Sequence, residues 1–263
     1  MPSKLGTALV TGASSGIGAT YADRLARRGY DLILVARDGG RLMDLAGRLA
    51  VEYGITADVL RADLAQKPDV AVVADRLADD AAITLFVNNA GIGPDGPLLG
   101  SDLDYLDRMV ELNVLAANRL AVAAAKAFVG RGAGAIINTA SVVSLAPQLF
   151  NGTYSATKAF VLSLTEGLAS ELANTPVRIQ AVLPGLTRTE IFDRVGRSMD
   201  DLDQRQVMAV GDMVDAALAG FDQGELITIP SLEDKALYDG YIAARGTLAP
   251  HLSLNRPASR YGV

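Results

Sequence analysis

Short runs of aliphatic and β-branched residues recur along this chain, each followed by a longer stretch with helical spacing. Leu5–Thr11 (LGTALVT), Asp31–Ala36 (DLILVA), Thr56–Arg61, Thr84–Asn88, Ala135–Thr139, Val177–Leu183 and Leu226–Ile229 read as strands. Helical patterns fill 16–29, 38–53, 67–82, 102–130 and 153–174. The central runs are apolar almost without interruption, as in strands covered on both faces. Alternation of this kind calls for parallel strands joined by right-handed crossovers. The expected fold class is α/β, a doubly wound parallel β-sheet with helices on both faces. In the first helix Ile17, Tyr21, Leu25 and Ala26 form an apolar stripe, and Gly29 is placed to end it.

Half of the 263 residues are hydrophobic, enough for one large core. No linker or internal repeat divides the chain, so a single domain over 1–263 is expected, with a tail over about 231–263. The absence of cysteine excludes disulfides, thiolate metal sites and a cysteine nucleophile. With His251 as the lone histidine, no histidine cluster can hold a metal, and no metal site is expected. A net charge of -6 argues against a nucleic-acid partner, which needs concentrated Lys and Arg. The most apolar helical stretch, Val114 to Val129, carries Arg119 and Lys126 and is not expected to span a membrane. Only a few residues precede the first apolar run, so no signal peptide and a cytoplasmic location are expected. Asn151-Gly152-Thr153 spells a glycosylation sequon, taken as chance without a secretion signal.

The first strand runs into Thr11-Gly12-Ala13-Ser14-Ser15-Gly16-Ile17-Gly18. Glycines between a strand and a helix let backbone approach a pyrophosphate, with the helix N-terminus supplying N–H donors. The spacing is G-x-x-x-G-x-G, and no Gly-Lys-[Ser/Thr] ending marks a nucleoside triphosphatase. After the second strand, Ala36-Arg37-Asp38 stands where an acidic residue would select NAD. Arg37 can pair with a 2′-phosphate, so NADP is preferred, with NAD the alternative should Asp38 turn inward. Arg37 could instead be a solvated loop residue, with Asp38 capping the next helix.

Tyr154 and Lys158 lie four residues apart, on one helical face among small side chains. With these residues in place the chain resembles the short-chain dehydrogenase/reductase family from about Lys4 to about Thr189. The family's glycine motif matches Gly12, Gly16 and Gly18. Its Asn-Asn-Ala-Gly motif is Asn88-Asn89-Ala90-Gly91, and its helix asparagine is Asn113. Its serine matches Ser141, its Tyr-x-x-x-Lys is Tyr154 to Lys158, and its Pro-Gly motif is Pro184-Gly185 with Thr187 and Thr189. The resemblance implies a Rossmann-like domain that transfers hydride between NADP(H) and a carbonyl or alcohol. It implies Tyr154 as general acid/base, Lys158 bonded to the nicotinamide ribose, Ser141 donating to the substrate oxygen, and Asn113 holding a water. It further implies that Ser14, Ser15 and Ile17 of the turn, Asp63 and Leu64 by the adenine, and Asn89 and Gly91 by the adenosine bind cofactor. Pro184, Thr187 and Thr189 complete that set.

A tyrosine starts near pKa 10, and lowering it by about 3 units takes about 4 kcal/mol of phenolate stabilisation. An ammonium one helical turn away, together with the positive charge of the oxidised cofactor, is the expected source. On the substrate side Leu149 and Phe192 join Ser141 and Tyr154, with about 186–210 as a cover, Arg188 as a candidate anchor, and an apolar ketone, aldehyde or alcohol as substrate. Apolar residues on more than one side of 102–129 and 153–172 suggest a homodimer or homotetramer, as the resemblance also implies. A non-catalytic dinucleotide sensor on the same fold is the alternative function.

Overall fold

The computed structural model describes residues 5–189 and 202–263. Seven parallel strands form one sheet in the order β3-β2-β1-β4-β5-β6-β7. They are β1 (Thr7–Thr11), β2 (Asp31–Ala36), β3 (Ala57–Arg61), β4 (Ile83–Asn88), β5 (Ala135–Thr139), β6 (Arg178–Val182) and β7 (Ile227–Thr228). All seven expected strands are present, two with the expected bounds and five trimmed or extended by a residue or two. The helices are α1 (Gly16–Arg27), α2 (Gly39–Tyr53), α3 (Lys67–Asp79), α4 (Leu103–Val110), α5 (Ala117–Arg131), α6 (Gly152–Leu172), α7 (Val210–Asp222) and α8 (Lys235–Leu248).

Alternate residues along each central strand enter opposite cores, as the two-residue period of a strand requires. Ala8, Val10, Leu32, Leu34, Leu85 and Val87 pack with Leu25 of α1, Leu42 of α2 and Val214 of α7. Leu9, Ile33, Val35, Phe86 and Ile136 pack on the other face with Val73 of α3, Leu120 of α5 and Leu168 of α6. This two-sided burial is the reason the strands lack polar alternation. Gly29, at φ 94, ends α1 as expected, with its N–H and that of Tyr30 donating to Ala26 and Leu25 carbonyls.

The helix expected over 102–130 runs without a break from Leu103 to Arg131 but is not α-helical throughout. Between α4 and α5, Glu111–Ala116 winds as a π-helix, a single widened stretch of the kind found at functional sites. The whole run Leu103–Arg131 is long and apolar enough to cross a membrane by composition, but Leu120, Ala124 and Phe128 are fully buried in the second core. Helix α7 was not anticipated; its Val214, Ala217 and Leu218 pack in the first core.

By contacts the chain forms two compact units, Met1–Pro230 and Ser231–Val263. The second, which begins where the tail was expected to, holds α8 and short 3-10 turns, and no described residue of it is buried.

Candidate active site

The strand order reverses direction between β1 and β4, and crevices at such points receive ligands in open α/β sheets. The glycine turn follows β1 and Asn88-Asn89-Ala90-Gly91 follows β4, so the two loops meet. Thr11 Oγ1 accepts from the N–H groups of Asn89 and Ala90 at 2.9 and 3.1 Å, and Asn89 Nδ2 donates to the Thr11 carbonyl at 3.0 Å. Gly12, at φ 68, leaves no room for a side chain: a Cβ there would lie 2.9 Å from Asn89 Nδ2. A Cβ on Gly18 would sit 2.2 Å from the Gly12 carbonyl oxygen, so the helix can meet the turn only through glycine. Ser15 is the N-cap of α1 but its side chain makes no capping bond. The first N–H groups of α1 are thereby left to another acceptor.

A cavity of about 610 Å³ opens above these loops. Among the residues expected to bind cofactor, it is lined by Gly12, Ser15, Gly16, Ile17, Asn89, Gly91, Pro184, Thr187 and Thr189. Ser141, Tyr154, Lys158 and Leu149 line the same cavity. Ser14, Gly18, Arg37, Asp63, Leu64 and Asn113 do not. Gly18 is packed under the turn, and Leu64 is buried in the second core. The Asp63 carboxylate accepts from the Ala65 N–H at 3.2 Å and lies 3.6 Å from Arg108. Phe192 falls outside the described residues. Val143, Phe150 and Gln206 also line the cavity, as do Thr139 and Ile92, which were not assigned to it from sequence. Thr139 ends β5 two residues before Ser141, a position that could have marked it.

Helix α6 carries the phenol and the amine. Tyr154 shows part of its ring to the cleft and meets Phe150 edge-on, with ring centroids 5.6 Å apart. Lys158 is 7 % exposed and donates from Nζ to the Thr139 carbonyl at 3.0 Å. Its ammonium lies 5.8 Å from the centre of the Tyr154 ring. Ser141 Oγ donates to the Pro184 carbonyl at 3.3 Å and accepts from the Val143 N–H at 3.4 Å. Both contacts are longer than the usual 2.7–3.0 Å range and hold the hydroxyl loosely. Asn113 has its amide fully engaged: Nδ2 donates to the Ile92 carbonyl at 2.9 Å and to Thr157 Oγ1 at 3.2 Å, and Oδ1 accepts from the Ile92 N–H at 2.9 Å. Its side chain therefore ties the loop after β4 to α6.

The lowered phenol was expected with the oxidised cofactor's charge in place; in the chain by itself the shift runs upward. Burial pushes Tyr154 up to about 12, opposed by a hydrogen bond with Ser141. Burial likewise lowers Lys158 to about 8. Desolvation acts on both because it disfavours the charged form of each group. A phenolate here needs further positive charge.

The residues present fit a nicotinamide dinucleotide. The glycine turn brings backbone and an uncapped helix N-terminus to one end of the cavity, where a phosphate would be held. At the other end Thr139 Oγ1 is buried without a hydrogen-bond partner, a polar atom waiting for one. Thr189 leans over the turn: a Cβ on Gly16 would lie 3.3 Å from its Cγ2.

Comparison with known proteins agrees with this geometry. Residues 6–200 match the short chain dehydrogenase family. A diacetyl reductase [(S)-acetoin forming] of Staphylococcus epidermidis is 31% identical over 212 residues, 80% of this chain and 81% of that protein. A short-chain dehydrogenase from Sphingobium yanoikuyae, solved in complex with NADPH, is 48% identical with a TM-score of 0.95, covering 98% of this chain and all of that one. The bulky-bulky ketone specific alcohol dehydrogenase from Comamonas testosteroni is 46% identical with a TM-score of 0.90 over 98% of each chain. With its glycine turn, serine, tyrosine and lysine converging on one cavity, the chain belongs to the short-chain dehydrogenase/reductase family, NAD(P)-dependent oxidoreductases of the alcohol–carbonyl pair.

Proposed function

We propose that the protein is an NADP(H)-preferring reductase and dehydrogenase of bulky, mostly apolar ketones and their secondary alcohols, with Tyr154 as the general acid/base. The observation that carries this reading is the convergence of Ser141, Tyr154 and Lys158 on a cavity whose outer wall is Ile92, Pro94, Val143, Leu149, Phe150 and Leu186. That wall offers a substrate surface and shape but few charges. When bound, NADPH supplies the hydride for the carbonyl carbon, and the oxidised form brings a positive charge beside the phenol. Tyr154 gives its proton to the substrate oxygen during reduction and takes one back during oxidation. Ser141, only loosely held by Pro184 and Val143, can turn its hydroxyl to the same oxygen. Lys158, anchored on the Thr139 carbonyl, holds positive charge at the inner end of the cleft. Arg188 donates to Gln204, beside a bridge that pairs Thr187 with Met208, so its guanidinium is already engaged by the protein. The Sphingobium relative's complex with NADPH and the Comamonas relative's bulky ketones support the cofactor and the substrate class. Oxidation of NADPH over a panel of small and diaryl ketones tests the proposal. Cofactor binding with no turnover on any of them would return the chain to a dinucleotide-sensing role.

The NADP preference has its own support. The Asp38 carboxylate caps α2, accepting from the Arg41 N–H at 3.0 Å, and so is engaged away from a ribose. Arg37 is exposed, and its carbonyl accepts from Arg61 Nε at 3.1 Å, which steadies the loop. A charge-assisted contact from a guanidinium to a phosphate contributes about 1.5–3 kcal/mol, so Arg37→Ala should raise the KM for NADPH roughly 10- to 100-fold. The KM for NADH should change less than about twofold, since no 2′-phosphate is there to lose its partner. Equal losses for both cofactors would remove Arg37 from this role.

Leu103, Val110, Leu115 and Phe160 leave apolar surface exposed along α4 to α6, which supports association of two or more copies through these helices. Light scattering coupled to size exclusion should then report a dimer or tetramer; a monomer at micromolar concentration would refute it.

A further inference from the structure

The loop after β4 forms one wall of the cleft through Gly91, Ile92, Gly93 and Pro94. Three side chains hold it. Asn113 clamps both main-chain polar atoms of Ile92, and the Tyr105 hydroxyl donates to the Gly93 carbonyl at 2.8 Å. The third is Asn151, whose Nδ2 donates to the Gly96 carbonyl at 2.9 Å. Its Oδ1 accepts from the Tyr154 N–H at 3.1 Å, as the N-cap of α6. Asn151 is 8 % exposed, so water cannot readily replace either bond. Leu98, farther along the same loop, packs over the next residue: a Cβ on Gly152 would lie 3.2 Å from Leu98 Cδ2. The asparagine of the Asn-Gly-Thr sequon thus has its amide turned inward, and the pattern has a structural origin.

We infer that Asn151 is a positioning residue that locks the substrate wall to the first turn of the catalytic helix, so that one amide sets both the place of Tyr154 and the size of ketone admitted. An amide suits this task because it has a donor and an acceptor at opposite ends. The acceptor fixes the helix start three residues before the phenol. The donor fixes a loop 55 residues away in sequence. A bulky group pressing on Gly93 and Pro94 therefore meets a wall braced against the acid that must reach its oxygen. The inference rests on the ketone-reductase reading above.

Substitution separates the two ends. Asn151→Asp keeps an acceptor for the Tyr154 N–H but sets a second acceptor against the Gly96 carbonyl. Asn151→Ser keeps a short cap and cannot reach Gly96. Kinetics with NADPH on cyclohexanone and on a diaryl ketone, normalised to sites titrated by NADPH, read the effect. Both variants should keep kcat on cyclohexanone within about threefold while KM for the diaryl ketone rises about tenfold. Asn151→Ala, which loses the cap as well, should also lose about tenfold in kcat on both ketones. Leu98→Ala changes an exposed side chain and leaves the cap alone; it should raise the diaryl KM about threefold at constant kcat. A merely structural role would lower kcat by the same factor on both ketones with KM unmoved, and that result in the Asp and Ser variants overturns the inference. Should those variants not fold, an unchanged diaryl KM in Leu98→Ala overturns it. Wild-type protein that binds NADPH yet reduces neither ketone would instead sink the reductase reading itself.

Discussion

Tyr154→Phe should abolish most of the ketone-dependent oxidation of NADPH while leaving the protein folded and able to bind cofactor. The ring keeps its edge-on contact with Phe150, so packing in the first turn of α6 survives. What is lost is one hydroxyl, hydrogen-bonded with Ser141 and proposed above to give a proton to the substrate oxygen. A positioned general acid typically contributes 10²–10⁴-fold, and kcat should fall by about a thousandfold. Because the phenol is pushed up to about 12 by burial, it holds its proton at every working pH in the chain alone. Reduction should therefore show no loss of rate from this group between neutral pH and pH 9. Oxidation of the alcohol needs the phenolate and should quicken with rising pH, because the oxidised nicotinamide adds the positive charge that Lys158 alone does not supply. Stopped-flow and steady-state rates, with NADPH affinity from fluorescence titration, check all of this. A variant that retains a tenth of wild-type kcat, or a wild-type oxidation rate flat from pH 6 to 10, would remove Tyr154 from the proton-transfer role.

The sheet was legible because its strands are apolar on both sides: DLILVA admits little except a central parallel strand, and Leu32 to Val35 duly divide between the two cores. The cleft was legible for a different reason. Gly12 and Gly18 are required by close approach of backbone, and backbone approach leaves a mark in sequence that ordinary side-chain packing does not. Contacts that depend on three-dimensional placement were not legible. Asn113 sits in a run with good helical periodicity, and nothing in that period announces the π-helix that lets its amide reach Ile92. Asn151 was seen only as a sequon, since its partner Gly96 is remote in the chain. How strongly burial acts on the Tyr154 phenol in the chain alone was not legible for a related reason. Spacing gives the distance from an ammonium along a helix, but not how dry the pair becomes. Desolvation here exceeds the opposing effect of the hydrogen bond with Ser141. Arg37 and Asp38 lay between these cases, because a local cap can be recognised from neighbouring residues.

The same desolvation makes Lys158→Met a second variant with a large expected effect, one that separates catalysis from stability. Burial brings the Lys158 pKa from 10.5 to about 8, which corresponds to a burden of about 3 kcal/mol on the charged form at neutral pH. Methionine keeps a flexible apolar stem and drops the ammonium, giving up one bond to the Thr139 carbonyl that contributes about 1 kcal/mol. The net gain of about 2 kcal/mol should raise the melting temperature at pH 7 by about 5 °C in a chain of this size. Turnover should fall about a hundredfold or more, since positive charge beside the phenol and the cofactor is lost. The pH dependence fixes the cause. Below pH 8 the lysine is protonated both folded and unfolded, and the full burden is present. From about pH 8 upward the folded chain sheds the proton while the unfolded chain, with its lysine at 10.5, retains it. The unfolded state then binds more protons, so stability rises with pH. Above about pH 10 the Tyr154 phenol, raised when folded, works in the opposite direction, because the folded chain then holds the extra proton. The window of rising stability attributable to Lys158 is therefore about pH 8 to 10, and it should vanish in Lys158→Met. Thermal melts of both proteins at pH 7, 8, 9 and 10 decide the matter: parallel curves, or a variant less stable than wild type at pH 7, would mean that the amine is not held at an energetic disadvantage in the fold.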